Sequence, residues 1–263
     1  MSKSRVRLDA ALVKTGIASD LALAQELIAQ GVILVNGSIA LTNNRMVANS
    51  DTVLLSVPAR FVSRGGEKLE AAIVAFNIDI AGQRVLDAGA STGGFTDCVL
   101  QRGAREVVAL DVGKAQLHDR LVRDPRVTVV DSVNVRTLSE GGGFDVGLDV
   151  GFDVVVADLS FISLQKVSTA LVGVLRPHGH MILLVKPQFE AEKAEVDKGA
   201  GVITDTKIHD RTLAQVVGAY ESLGMTKMGV IESPLRGADG NTEFLLHLHK
   251  GPAIEAHSVS RVE

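Results

Sequence analysis

Four residues in this sequence, two lysines and two carboxylates, carry the means to handle a hydroxyl proton: Lys68, Asp158, Lys186 and Glu243. Each falls at a strand end or on the helix before the first strand of an alternating pattern, so a single fold edge can gather them. A lysine amine can accept or orient a hydroxyl proton when a neighbouring carboxylate fixes its position. If Lys68 flanks Lys186, like charge pushes Lys186 toward its neutral form, and Asp158 and Glu243 limit that push. Such a set suits group transfer to a barely acidic acceptor such as a ribose 2′-hydroxyl, with in-line alignment as the protein's main contribution. Asp158 is followed by Leu-Ser-Phe161. A Pro-Pro-aromatic run at that place would have pointed to an amine on a base.

A second constellation runs from a strand through a glycine loop into a helix: Asp87-Ala-Gly89-Ala90-Ser91-Thr-Gly93-Gly94-Phe95. Glycines let the backbone approach a ligand, and a helix start offers unpaired amides. Asp87 before the first glycine would repel a pyrophosphate, yet it suits the cationic methionine end of S-adenosylmethionine, directly or through water. The spacing also departs from G-x-G-x-x-G. Asp111, at the end of the next strand, can accept both ribose hydroxyls of an adenosine, and Asp131, ending the third, can accept from the adenine amine. Acids closing three adjacent strands mark one crevice at the switch point of a doubly wound sheet. The cofactor expected is S-adenosylmethionine, with no metal required.

The elements that must hold these residues are legible as β-branched, apolar strands at 84–87, 107–111, 127–131, 153–158 and 181–186, with helical stretches between them. A helix at 67–76 precedes the first strand and another at 211–223 follows the fifth. Strands at 227–232 and 243–249 close the pattern as an antiparallel hairpin, because Pro234 and the Gly237-Ala-Asp-Gly240-Asn run leave no room for a helix. An α/β class I, Rossmann-like methyltransferase sheet fits this order, whereas an NAD-linked oxidoreductase does not. Three Asp-Val copies around Gly141–Gly151 compete for the fourth strand, and only Asp153 continues into an unbroken apolar run. The remainder reads as a glycine-rich loop.

Ahead of residue 67 the composition changes. The chain of 263 residues carries a net charge of −4, but residues 1–64 hold seven Lys and Arg against four Asp and Glu. Arg5, Arg7, Lys14 and Arg64 are the candidate phosphate contacts. Helical spacing from Leu8 to Gln30 breaks at Thr15-Gly16, with Ser19 placed to cap a second helix, and strands at 31–35 and 38–41 flank an Asn36-Gly37 turn, with a third at 52–57. The organisation expected is an RNA-binding domain over 1–57, a linker over 58–66, a methyltransferase domain over 67–250 and a tail over 251–263. Cys98 reads as a small buried hydrophobe. With one cysteine, no apolar leader and no apolar run of membrane-spanning length, a cytoplasmic protein is expected.

The head, through Arg7-Leu-Asp9 and Ala24-Gln-Glu-Leu-Ile-Ala-Gln-Gly31-Val-Ile-Leu-Val-Asn36-Gly37, resembles the αL RNA-binding fold of small-subunit ribosomal protein four. That fold usually has a basic residue where Asp20 stands, so Asp20→Arg is expected to tighten RNA binding. Ser63-Arg-Gly-Gly-Glu-Lys68-Leu, Ala157-Asp158-Leu-Ser-Phe-Ile-Ser-Leu, Val185-Lys186-Pro-Gln-Phe-Glu190 and Ser233-Pro-Leu-Arg-Gly-Ala-Asp-Gly-Asn-Thr-Glu243-Phe-Leu resemble the TlyA family, related to the FtsJ group and often labelled hemolysins. The resemblance implies a ribosomal RNA 2′-O-methyltransferase acting on a cytidine ribose, with ribosomal RNA or subunits as partners. It departs at Asp131-Ser132-Val133-Asn134, where an Arg-Thr pair usually precedes Asn. A membrane-active hemolysin would need a basic amphipathic or spanning helix, which the sequence lacks. A non-catalytic assembly factor would not need all four Lys-Asp-Lys-Glu residues.

Overall fold

The computed structural model describes residues 5–56, 59–140, 150–237 and 239–252. The chain forms two compact units, Met1–Arg60 and Phe61–Glu263. The division falls inside the linker expected over 58–66 because Phe61 is buried in the second unit's core.

The first unit runs β1 (Arg5–Arg7), α1 (Leu8–Lys14), α2 (Leu21–Ala29), β2 (Ile33–Val35), β3 (Ser38–Ile39), β4 (Met46–Ala48) and β5 (Val53–Leu55). Leu8, Leu12, Ala24 and Ile28 of the helices share a core with Ile33, Val35 and Val47. Asn36 and Gly37 both have positive φ, 52° and 79°, as a tight hairpin turn between right-twisted strands demands. The antiparallel pair β1–β4 was not legible in the sequence, since three residues per strand are too few for an alternation to register. Ser19 does not cap α2. Asp20 does: its carboxylate accepts the Leu23 amide at 2.9 Å, while the Ser19 hydroxyl donates to Asp20 at 3.0 Å. A charged acceptor outcompetes a hydroxyl at the positive end of a helix, and the amide bond holds the Asp20 carboxyl below its ordinary range.

The second unit runs α3 (Gly65–Phe76), β6 (Arg84–Ala88), α4 (Gly94–Gln101), β7 (Glu106–Leu110), α5 (Asp119–Val122), β8 (Val127–Val130), β9 (Phe152–Ala157), α6 (Ser168–Val174), β10 (Leu175–Val185), α7 (Pro187–Glu190), α8 (Lys193–Lys198), α9 (Thr206–Glu221), β11 (Met225–Glu232) and β12 (Phe244–Lys250). One seven-stranded sheet has the order β11-β12-β10-β9-β6-β7-β8. Strands β6 to β10 are mutually parallel, and β12 runs antiparallel to both β10 and β11. Alternate residues feed two cores. Leu86, Val108, Val155 and Leu183 pack on one face with Leu171 of α6 and Val216 and Tyr220 of α9, whereas Val85, Val107, Val154 and Ile182 pack on the other with Leu69 of α3 and Val99 of α4. Both faces are covered, which is why the strands read as continuous apolar runs. Cys98 is fully buried in the second of these cores. β10 starts six residues before the expected Met181, across a register shift near Pro177 and His178, a stretch too polar to read as strand. The fourth parallel strand does take in Asp153, and the glycine-rich loop expected from Gly141 falls largely outside the described residues.

Because Asp20 closes the amino end of α2, Asp20→Ala should speed hydrogen exchange at the α2 amides, and Asp20→Ser should restore most of the protection. The same logic makes Asp20→Arg a loss of helix cap as well as a gain of charge. Equal exchange in Asp20→Ala and wild type would remove the capping role.

Candidate active site

A crevice opens where β6 and β9 part company, with β7 and β8 on one side of the switch point and β10 on the other. It has two chambers. The larger, of about 520 Å³, is lined by residues including Asp111, Val112, Gln116, Asn134, Arg136 and Phe161. The smaller, of about 270 Å³, is lined by residues including Arg64, Lys68, Gly94, Phe95, Asp158 and Lys186. Gly89, Ser91, Asp158 and Ser160 line both, so the chambers meet at the ends of β6 and β9.

The glycine loop is shaped by close approach. Gly89 has φ of 86°, and a Cβ there would sit 2.7 Å from the Asp158 carbonyl oxygen. A Cβ on Gly94 would collide with Ser63 Oγ, so the start of α4 packs directly on the start of α3. Asp97 in α4 reinforces this by accepting the Val62 amide at 2.8 Å. These contacts set where α3 presents Lys68.

Lys68 Nζ meets Glu243 Oε2 at 2.5 Å, with both side chains buried. Lys186 Nζ lies 2.6 Å from Asp158 Oδ1, off the direction a hydrogen bond needs, and its hydrogen bond goes to Ser160 Oγ at 3.0 Å. The four residues read from the sequence therefore form two lysine–carboxylate pairs. The simple picture of Lys68 pushing on Lys186 is corrected accordingly: each ammonium has its own counter-charge. Three of the four, Lys68, Asp158 and Lys186, line the smaller chamber.

Asp111 reaches the larger chamber with its carboxylate fixed by two amides, Gly113 at 2.6 Å on Oδ1 and Ser91 at 2.8 Å on Oδ2. Each oxygen keeps a further lone pair for a ligand. Asp87 lines neither chamber. It is fully buried, accepts from Thr96 Oγ1 at 2.6 Å, and leaves Oδ1 without a partner. Burial is the chief cause that raises its carboxyl to about 7. Asp131 also fails to reach the cavity: it accepts the Ala115 amide at 2.8 Å, and Asn134 stands on the wall instead. A 3₁₀ turn over Val135–Glu140 follows directly. Of the glycine-loop residues, Gly89, Ala90, Ser91, Gly94 and Phe95 line a chamber; Gly93 does not, and acts as the left-handed cap of α4 with φ of 96°.

The site also contains residues that the sequence pattern did not single out. Val112 is 71% exposed on the larger chamber's wall, and Phe161 is 92% exposed at φ of 63°, beside Phe189 with ring centroids 5.3 Å apart. An apolar residue following a strand-end acid was the available signal for Val112. Nothing in the sequence marked Phe161 as exposed. Among the basic candidates, Arg64 lines the smaller chamber of the second unit, Arg5 and Lys14 are exposed on the first, and Arg7 is paired with buried Asp9 at 2.6 Å. Among the described residues no group of three or more His, Cys, Asp or Glu is placed to hold a metal ion.

A family described as FtsJ-like methyltransferase matches residues 61–250, and the S4 domain matches residues 6–53. The chain is 45% identical over 248 residues to the 16S/23S rRNA (cytidine-2′-O)-methyltransferase TlyA of Mycobacterium tuberculosis, spanning 93% of this chain and 90% of that one. The chain belongs to the TlyA family of FtsJ-like methyltransferases. Hemolysin A of Brachyspira hyodysenteriae is 36% identical to it over 92% of this chain and 99% of that protein. A solved hemolysin-labelled structure from Streptococcus thermophilus superposes with a TM-score of 0.69 at 33% identity, covering 98% of this chain and 93% of the other. As a TlyA-family member the protein is a methyltransferase with an α/β methyltransferase sheet and an S4 domain. No helix among the described residues is long and apolar enough to cross a membrane.

The Asp87 carboxyl gives a signed prediction. Raised from 3.8 to about 7, it binds a proton more tightly in the folded state, so the cofactor-free protein loses stability as pH rises between these values, by roughly 4 kcal/mol in all. Asp87→Asn keeps the shape and stays neutral. Thermal unfolding should show the variant gaining on wild type from pH 4 to pH 7, and a gap independent of pH would contradict the assignment.

Proposed function

We propose that this protein transfers a methyl group from S-adenosylmethionine to a ribose 2′-hydroxyl of ribosomal RNA in the cytoplasm, a cytidine ribose as in the name of the M. tuberculosis relative. The observation that carries the proposal is the pair of lysine–carboxylate contacts on the wall of a polar chamber that opens onto a larger, cofactor-sized one.

The residues present fit S-adenosylmethionine. Asp111 retains acceptor capacity for two vicinal hydroxyls, Val112 offers an exposed apolar face for an adenine ring, and the partnerless Asp87 Oδ1 beneath the glycine loop is an acceptor whose charged form an arriving cation would favour. When bound, the cofactor supplies an electrophilic methyl. Lys186 and Ser160 then orient the acceptor hydroxyl at the junction of the chambers, and the proton released on transfer ends on the Asp158 carboxylate, either directly or by way of Lys186 once that ammonium has passed one of its own protons to Asp158. Lys68 and Glu243 neutralise one another and keep the chamber floor in place. Phe161 gives the base of the target nucleotide a ring to stack on at the rim, and Arg64 and Arg136 offer charge to the adjoining phosphates. In the first unit Arg5 and Lys14 are free to meet phosphate, whereas Arg7 is partly spent on Asp9.

Lys186→Ala should slow single-turnover methyl transfer roughly 10²-fold or more, with cofactor affinity by calorimetry little changed. Removal of residues 1–60 should abolish modification of ribosomal RNA and spare cofactor binding. Reverse-transcription stops at low nucleotide concentration would locate the modified ribose. Full transfer by Lys186→Ala, or no stop gained on treatment with the wild-type enzyme, would overturn the reading.

A further inference from the structure

The loop that follows β9 carries Asp158, Ser160 and Phe161, yet it has no regular secondary structure until the 3₁₀ turn at Leu164–Val167. Its shape must be imposed from outside, all the more because Phe161 holds a left-handed backbone with φ of 63°. The short helix α7, four residues long and begun by Pro187 directly after Lys186, faces this loop at three points. Lys186 contacts Asp158 and Ser160, and Phe189 packs on Phe161. Glu190 takes the far end. Its Oε1 accepts the Leu164 amide at 2.7 Å, and its Oε2 accepts from Ser163 Oγ at 2.6 Å and Gln165 Nε2 at 3.1 Å.

We propose that Glu190 is a positioning residue for methyl transfer, holding the Asp158–Leu164 loop in register with Lys186 so that Ser160 and Asp158 stay on the Lys186 amine. This rests on the role proposed for Lys186 in methyl transfer. Glu190 lines neither chamber, so its influence passes through the loop. The arrangement is a closed ring: Lys186 to Asp158, along the loop to Leu164, across to Glu190, and back through one turn of α7. A carboxylate is suited to the task because both of its oxygens accept, whereas a glutamine amide offers one accepting oxygen and an NH2 group that can only donate. Tyr220 of α9, which shares a core with Leu164, steadies the same point by donating to the Leu164 carbonyl at 3.2 Å. Burial and the nearby Glu190 charge push its phenol well up, so it stays a donor.

Two readouts separate this role from a general structural one. Glu190→Gln should slow single-turnover transfer roughly tenfold in otherwise wild-type enzyme but less than about twofold in Lys186→Ala, because residues acting as a unit do not add. Hydrogen exchange at the Leu164 amide should rise in Glu190→Gln while the β9 amides keep their protection. Ser163→Ala, which leaves the α7 sequence intact but removes one donor to Glu190 and the acceptor of the Gln165 amide, should reproduce the effect more weakly and serves if Glu190→Gln does not fold. Equal rate losses in both backgrounds, or unchanged exchange at Leu164, would overturn the assignment. Failure of the wild-type enzyme to methylate ribosomal RNA would instead overturn the proposed function, and the exchange measurement would still decide whether Glu190 holds the loop.

Discussion

The contact between Lys68 and Glu243 joins the first helix of the second unit to the start of its last strand, across 175 residues of sequence, and both side chains are nearly closed to solvent. Withdrawing such charges from water is tolerable only in pairs, and stranding one member costs roughly 3–5 kcal/mol. Strand β12 must therefore enter the sheet next to β10, in the register that puts Val185 opposite Phe244, or Glu243 would not meet Lys68. Once it does, the polar chamber has a floor. The second pair, Lys186 with Asp158, sits at the ends of adjacent parallel strands, and the rest of this crevice edge is arranged around these two contacts.

The same edge explains why the glycine loop is shaped as it is. Gly89 lets β6 end against the Asp158 carbonyl, and Gly94 lets α4 start against Ser63, so the glycine loop and the lysine-bearing helix are fixed by backbone proximity. Asp87 sits beneath this junction with an oxygen that has no partner. A buried acceptor left open is costly in the free protein and becomes an asset when positive charge arrives nearby. Stability given up at such a point is the usual mark of a binding site.

Much of this was written in the sequence. Unbroken apolar runs around Val85-Leu86 and Val154-Val155 revealed strands buried on both faces, and the acids at strand ends pointed to the crevice. Lys68, Asp158, Lys186 and Glu243 were identifiable because strand ends of a doubly wound sheet converge. Partners within the set were not, since which lysine meets which carboxylate depends on helix placement to within an ångström or two. That Asp131 stands on the Ala115 amide while Asn134 takes the cavity wall was not legible, because it depends on the turn after β8, and Ser19 misled because one residue decides a cap. Phe161 was invisible for a similar reason: its exposure follows from a left-handed backbone that no periodicity announces.

The proposed methyl transfer turns on one point, that the acceptor is a ribose hydroxyl. The direct measurement is methyl transfer to two otherwise identical ribosomal RNA substrates, one carrying 2′-deoxyribose at the target nucleotide. The deoxy substrate is expected to bind and to receive no methyl. Methylation of the deoxy substrate at the rate of its parent would place the acceptor on the base and contradict the proposed handling of a hydroxyl proton by Lys186 and Asp158.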